Sequence, residues 1–176
     1  AGLGQPLLIV LGTSQALGEF LARHPEFLVD LGTEALSTTA LGLDDLRKQV
    51  ETARTPDELR VHYRRKLLHI ATRDLTALTS FEVSSAEIAD LAIATLGAAL
   101  EIARSQDDDA DLCRLAIMAM GKTGGCELNY ISDVDVIFVS EPADGAGDPV
   151  SLKASPRLAR APPDASQAQP AGGTDR

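Results

Sequence analysis

Tryptophan is absent from the chain, and aromatic residues amount to 3% of it: four Phe and two Tyr. Any core must therefore be aliphatic, built mainly from Leu, Ala, Ile and Val. Positive charge is also scarce. Sixteen Lys and Arg stand against 26 Asp and Glu, a formal charge of −10 at pH 7. A chain this acidic repels phosphate backbones and anionic bilayers at long range, which argues against nucleic-acid or membrane-surface binding. A single nucleotide stays compatible with it, because a divalent cation reverses the local sign. Cysteine is limited to Cys113 and Cys126, with no CxxC pair and no Cys/His metal spacing. That excludes a disulfide framework and a zinc site, and fits a reducing compartment. Long apolar runs are missing as well: the longest, Leu91 to Leu100, is ten residues, too short to span a bilayer. No basic stretch precedes the apolar Leu7–Leu11 and no signal-cleavage pattern follows it. The expected compartment is the cytoplasm. The chain opens on Ala1 rather than Met, which implies a processed start or a fragment boundary.

What is present is an ordinary globular composition, 44% hydrophobic and 24% charged over 176 residues, a one-domain length. No internal repeat is visible. Residues 1–106 read as helices. Leu7, Leu8, Leu11, Leu17, Phe20 and Leu21 keep helical spacing until His24-Pro25 breaks the run. Asp44 reads as the cap of a second helix carrying Leu46 and Val50. Thr55-Pro56-Asp57-Glu58 combines a cap, a first-turn proline and a capping-box acid. It predicts a helix bearing Leu59, Tyr63, Leu67, Ile70 and Leu78. A further helix is predicted from Ser84-Ser85-Ala86-Glu87 through Leu100.

Residues 107–111 form an acidic linker, which lacks the Gly and final Glu of an EF-hand loop. Residues 112–147 change character: Leu115–Met120 and Val134–Val139 read as buried strands, the second a central one. The last 36 residues, from Glu141, hold six of the nine prolines and only three large aliphatics, Val150, Leu152 and Leu158. Residues 148–176 are therefore expected to be disordered.

Chemistry concentrates between the two strands, in Gly121-Lys122-Thr123-Gly124-Gly125-Cys126-Glu127-Leu128-Asn129-Tyr130-Ile131-Ser132-Asp133-Val134-Asp135. Side chains at i and i+2 of an extended chain share a face, so Asp133 and Asp135 can reach one point. Two adjacent carboxylates repel, and a hard cation such as Mg²⁺ relieves that repulsion. Gly124-Gly125 would leave backbone N–H groups open to phosphate oxygens. A bare D-x-D also fits two solvated acids at a strand end; the glycine pair and Ser132 at this spacing favour metal-dependent nucleotidyl transfer. Ala116 through Thr123 matches a relaxed Walker A pattern. However, Ala116-Ile117-Met118-Ala119-Met120 reads as strand where a P-loop needs a loop, and Gly124-Gly125 would end the helix expected after Lys122.

The stretch Leu115–Val139 closely resembles the signature of the bifunctional glutamine synthetase adenylyltransferase/deadenylylase family, G-K-x-G-x-x-E-L-x-x-x-S-D-x-D followed by an apolar strand. Tyr63–Leu75 resembles that family's basic helix, and Leu8–Leu31 the helical start of its N-terminal half. The resemblance covers about residues 1 to 146. It implies an α+β chain, an N-terminal helical bundle followed by the first strands of a polymerase-β-type nucleotidyltransferase domain. It also implies the N-terminal unit, which removes AMP from a tyrosine of glutamine synthetase by phosphorolysis. The unit that attaches AMP from ATP has no counterpart in this sequence. Carried over, Asp133 and Asp135 are the catalytic Mg²⁺ ligands. Gly121, Lys122, Gly124, Gly125, Glu127 and Ser132 shape a nucleotide- or phosphate-binding loop. The implied partners are glutamine synthetase, ATP or ADP, phosphate and a PII-type signalling protein.

Thr123 and Cys126 depart from the bulkier apolar or basic residues common in that family. The third carboxylate that the family fold needs is also missing: Glu141, Asp144 and Asp148 lie among Pro, Gly and Ala, and from about Asp148 the sequence resembles an out-of-frame reading of a GC-rich gene. Little or no turnover is therefore expected of the chain by itself. The alternatives are a non-catalytic fragment that docks glutamine synthetase or a PII-type protein, and a P-loop NTPase. Outside the signature, His62, Lys66, His69 and Arg73 share one helical face, read as solvated and basic. Cys126 reads as ordinary filler, and His24 as a helix-end residue.

Overall fold

The computed structural model describes residues 3–144 and 155–159. The N-terminal apolar run is two helices, α1 (Gly4–Thr13) and α2 (Gln15–Arg23). Ser14 separates them, its Oγ accepting the N–H of Leu17 at 3.3 Å as an N-cap. His24-Pro25 ends α2 as expected, and two 3₁₀ segments follow, Pro25–Gly32 and Glu34–Leu36. Helix α3 spans Leu43–Val50. Gly42 caps it rather than Asp44, which with Asp45 lies in the first turn, where negative charge complements the helix dipole.

Helix α4 (Pro56–Leu75) starts where the sequence predicts. Thr55 Oγ1 accepts the Glu58 N–H at 3.2 Å, while the Glu58 carboxylate accepts the N–H of Arg54 at 2.7 Å. Its end differs from the expectation, because Leu78 lies beyond the helix. The Leu78 N–H bonds back to Arg73 O and the Ala77 N–H to Asp74 O, and Ala77 takes φ 56°. This is a Schellman stop with alanine where glycine is usual. Helix α5 (Phe81–Ser105) begins earlier than Ser84-Ser85 suggests. Ser80 is the cap, and Ser84 and Ser85 are buried inside the helix.

Helix α4 lies between two aliphatic clusters. Its Leu59 and Ile70 join Leu46 and Val50 of α3 and Ile88, Leu91, Ala94 and Ile102 of α5. Its Leu68 and Ala71 join Val10, Leu17, Phe20, Leu21 and Leu31. Phe20 is the one aromatic ring among the buried hydrophobic residues described, so the core is aliphatic as the composition requires.

The basic face predicted on α4 is not solvated. Lys66, His69 and Arg73 are 6%, 4% and 3% exposed, and only His62 is half-buried. Their partners come from distant sequence. Asp30 accepts from Arg65 Nε at 2.7 Å and Nη2 at 3.1 Å, and from His69 Nε2 at 3.0 Å. Arg73 donates to Glu87, itself 3% exposed, whose other oxygen accepts the Leu41 N–H at 3.0 Å. Burial pushes the Asp30 carboxyl up, but the hydrogen bonds and charges of Arg65 and His69 outweigh it and hold the group below the usual range.

The sheet follows. Strand β1 (Cys113–Ala119) pairs antiparallel with β2 (Val136–Pro142), with Ile117 opposite Phe138 and Met118 opposite Ile137. The architecture is α+β, a helical bundle leading into a two-stranded antiparallel sheet. Among the described residues the strands are not buried on both faces, and β2 has β1 as its one neighbour rather than lying centrally. Cys113, Leu115, Ile117 and Ala119 turn inward while Met118, Ile137 and Val139 stay about half exposed. The apolar run of β2 therefore covers only one face of the sheet it belongs to.

Most of the expected disordered segment, 148–154 and 160–176, lies outside the described residues. The five residues that are described depart from the expectation. Residues 155–159 form a helical turn, Leu158 is buried against Ala103 and Ala110, and Arg157 pairs with Asp107 and Asp109 at 2.8 Å.

Candidate functional site

The loop between the strands is a single helical turn, α6 (Gly121–Gly124), followed by an irregular return to β2. Its glycines answer to packing. Gly121 has φ +52°, and a Cβ there would sit 3.1 Å from Asp135 Oδ2. The Asp135 carboxylate thus lies over Gly121 in the space a side chain would fill. A Cβ on Gly124 would stand 2.5 Å from the carbonyl oxygen of Ala119, so only glycine lets α6 fold back onto β1. The N–H groups of Gly124 and Gly125, expected to face phosphate, instead donate to Met120 O at 3.0 Å and Gly121 O at 2.9 Å. The turn ends on a second Schellman pattern: Glu127 N–H reaches Lys122 O at 2.8 Å, Cys126 N–H reaches Thr123 O at 3.3 Å, and Cys126 has φ 59°. The Thr123 Oγ1 is buried with no hydrogen-bond partner among the described residues.

Ala116 to Ala119 lie in β1, so the residues of the Walker-like match are strand rather than phosphate loop. Asp133 and Asp135 lie in extended chain just before β2. Both are exposed while Val134 and Val136 are half-buried, so the aspartates share the outward face. The Met120 N–H donates to Asp135 O at 2.9 Å, tying that segment to the end of β1. Lys122 is exposed, and its Nζ donates to Ser132 Oγ at 3.4 Å. Glu127 is exposed and contributes to the turn through its backbone. The structure therefore brings Gly121, Lys122, Ser132 and Asp135 together around one short turn. Gly124 and Gly125 belong to its folding.

Three further residues hold this loop, and the sequence did not single them out. Asn129 Oδ1 accepts the Ser132 hydroxyl at 2.7 Å and the Ile131 N–H at 3.1 Å. Leu128 is 1% exposed and belongs to the core that α3, α4 and α5 share. The Tyr130 hydroxyl donates to Asp74 Oδ2 at 2.9 Å. A short polar residue two or three positions before a serine is the one available signal for Asn129. Nothing local marks the other two.

Exposed carboxylates without thiol or imidazole neighbours are hard oxygen donors. A Mg²⁺ ion fits such a pair, with water and phosphate oxygens completing its octahedron. No group of three or more His, Cys, Asp or Glu side chains placed to hold a metal occurs among the described residues. Glu141 and Asp144 do not supply a third carboxylate. Six residues of extended chain separate Glu141 from Asp135, about 20 Å, and both acids pair with Arg114 at the far end of the sheet, at 2.9 and 3.4 Å. Asp148 lies outside the described residues. Cys113 is buried and Cys126 exposed, and both are free thiols. No helix among the described residues is long and apolar enough to cross a membrane.

Comparison with known proteins matches most of the chain. The family model described as glutamate-ammonia ligase adenylyltransferase matches residues 4–157. A bifunctional glutamine synthetase adenylyltransferase/adenylyl-removing enzyme of Streptomyces avermitilis is 52% identical over 154 residues, covering 87% of this chain. The enzymes of the same name from Streptomyces coelicolor and Cutibacterium acnes are 49% and 42% identical, over 84% and 78% of this chain. The chain spans only about 15% of the length of the Streptomyces relatives. With a family model covering nearly all of the described residues, this chain belongs to the glutamate-ammonia ligase adenylyltransferase family.

Proposed function

We propose that this chain carries part of a nucleotidyltransferase site that acts on glutamine synthetase, in the unit that removes AMP from a tyrosine by phosphorolysis. The observation that carries the reading is the placement of the Asp135 carboxylate over Gly121, beside the Lys122–Ser132 hydrogen bond, with Asp133 on the same outward face. In this reading Asp133 and Asp135 hold Mg²⁺. Lys122 and Ser132 orient the phosphate or the nucleotide, and Gly121 keeps the Asp135 carboxylate at the mouth of the turn. When bound, such a cation screens phosphate charge and aligns the attacking group. The named relatives are bifunctional, and the removal half is favoured here by the Glu127-Leu128-Asn129-Tyr130 wording and the helical lead-in. ATP or ADP and phosphate are the small-molecule partners of this proposal. Two free thiols are in keeping with a cytoplasmic setting.

A second reading is a non-catalytic fragment that docks glutamine synthetase or a PII-type protein. It draws on the lack of a three-carboxylate group among the described residues and on the small share of its relatives that this chain spans. Titration calorimetry with Mn²⁺ tests the cation site. Asp135→Asn is expected to weaken binding by about tenfold or more. Equal affinity in the two proteins removes the site. The phosphate-dependent release of ADP from adenylylated glutamine synthetase separates the two functional readings. The present chain is expected near background and a version extended to a complete domain well above it. Equal rates would show that this chain supplies its own third ligand. Docking that survives loss of both aspartates, with no turnover in the extended version, would favour the second reading.

A further inference from the structure

The loop that carries the two aspartates is fastened to the helical bundle by a polar contact, Tyr130 to Asp74, and by two apolar residues, the buried Leu128 and the half-buried Val134 between the aspartates. Asp74 stands in the last turn of α4, where a carboxylate opposes the helix dipole. Its backbone carbonyl accepts the Ala77 N–H of the Schellman stop, and its carboxylate accepts the Tyr130 hydroxyl. Tyr130 is 43% exposed as a residue, yet partial burial of the phenol and its bond to Asp74 together push its ionisation well above the ordinary range. From Tyr130 the order runs in both directions. Asn129 accepts from Ser132, Ser132 accepts from Lys122, and Asp133 follows next in sequence.

We propose that Tyr130 is a positioning residue, held by Asp74, that pre-orders the Ser132–Asp135 segment for its cation and so couples occupancy of that site to the end of α4. The proposal rests on the cation reading given above. Ordering a loop before binding removes an entropic cost from the binding step, and by linkage a bound cation must strengthen the Tyr130–Asp74 contact in turn. Tyr130 touches neither cation nor phosphate in this scheme. It acts through the turn that Asn129 closes.

The test uses the whole 176-residue chain, with Mn²⁺ as the probe for affinity and Mg²⁺ for optical measurements. Tyr130→Phe and Asp74→Ala are each expected to weaken Mn²⁺ binding about threefold to tenfold, the value of one hydrogen bond. The double variant is expected to be no weaker than either single one. Asp74→Asn keeps an acceptor oxygen and is expected to stay within about twofold of the parent. The chain has no Trp and two Tyr, so in a Tyr63→Phe background Tyr130 is the sole strong emitter. Mg²⁺ is then expected to change its fluorescence, and Asp135→Asn to abolish the change. A contact that merely stabilised the fold would leave that signal still. Unchanged Mn²⁺ affinity in Tyr130→Phe, with the parent binding and Asp135→Asn not binding, overturns the positioning role and leaves the cation site standing. Equal or absent binding in the parent and Asp135→Asn overturns both.

Discussion

The bundle and the sheet region place charge and apolar surface in opposite ways. In the bundle, Asp30, His69, Arg73 and Glu87 are buried and bonded to one another across helices, inside an aliphatic shell. In the sheet region, Asp133 and Asp135 stand exposed, and so do Met118, Ile137, Val139 and, at 95%, Ile131. A region that buries its ions has satisfied them internally. A region that exposes both its carboxylates and its apolar strand face has its unsatisfied chemistry on the outside, where a ligand or more protein can reach it. The signature residues of the family lie in the second kind of region and their supports in the first.

The largest test of this contrast is Glu87→Ala. It leaves Arg73 charged and buried at 3% exposure, and removing one partner of a buried pair costs about 3–5 kcal/mol. Urea denaturation should show that loss; a change under about 1 kcal/mol would mean that the pair behaves as a surface contact. Acid comes next. The native Asp30 pKa is lowered, so its contribution is fully present above its ordinary value of 3.8 and is lost as pH falls through the lowered native value. The thermal midpoint of the parent should therefore drop below pH 4 more steeply than that of Asp30→Asn, and parallel curves would break the comparison.

In the sheet region the expected effects are smaller and one has the opposite sign. Thr123→Val removes a buried hydroxyl without a partner and is expected to raise stability by about 1 kcal/mol. A loss would reveal a bond to Thr123 that the fold does not show. Ile137→Thr on the outward face is expected to change stability by less than about 0.5 kcal/mol, while reducing self-association measured by light scattering. A large destabilisation there would mean that this face is covered in solution.

Where the sequence speaks locally, it was legible. The Ser14 and Thr55 caps, the break at His24-Pro25, the strand at Ala116–Ala119 and the aliphatic core follow from nearest neighbours. The family resemblance was carried chiefly by Leu115–Val139, with Tyr63–Leu75 and Leu8–Leu31 beside it, and the family model matches residues 4–157. The misreadings share a cause. The basic face of α4 looks solvated until Asp30 reaches His69 from 39 residues away and Glu87 reaches Arg73 from 14. The stop after Leu75 is hidden because alanine takes the left-handed position at Ala77. The Gly124 and Gly125 N–H groups look free until α6 folds back and uses them. The exposure of β2 depends on how many strands flank it, which its own composition does not encode. Tyr130 acquires its importance from Asp74, 56 residues earlier.

The double role of α4 bears on how this protein comes apart. Leu59 and Ile70 lie in one cluster and Leu68 and Ala71 in the other, on the same twenty-residue helix. Because α4 contributes to both clusters, the two are expected to unfold together rather than as two independent units. Its slowest-exchanging amides should fall together along α4 and the middle of α5, at one opening free energy. The α6 turn and the loop after it, held to the bundle by Leu128, Val134 and Tyr130, should open earlier. Local opening would then free the backbone of the aspartate loop many times for each global unfolding event, so among the described residues limited proteolysis should cut there before it cuts the bundle.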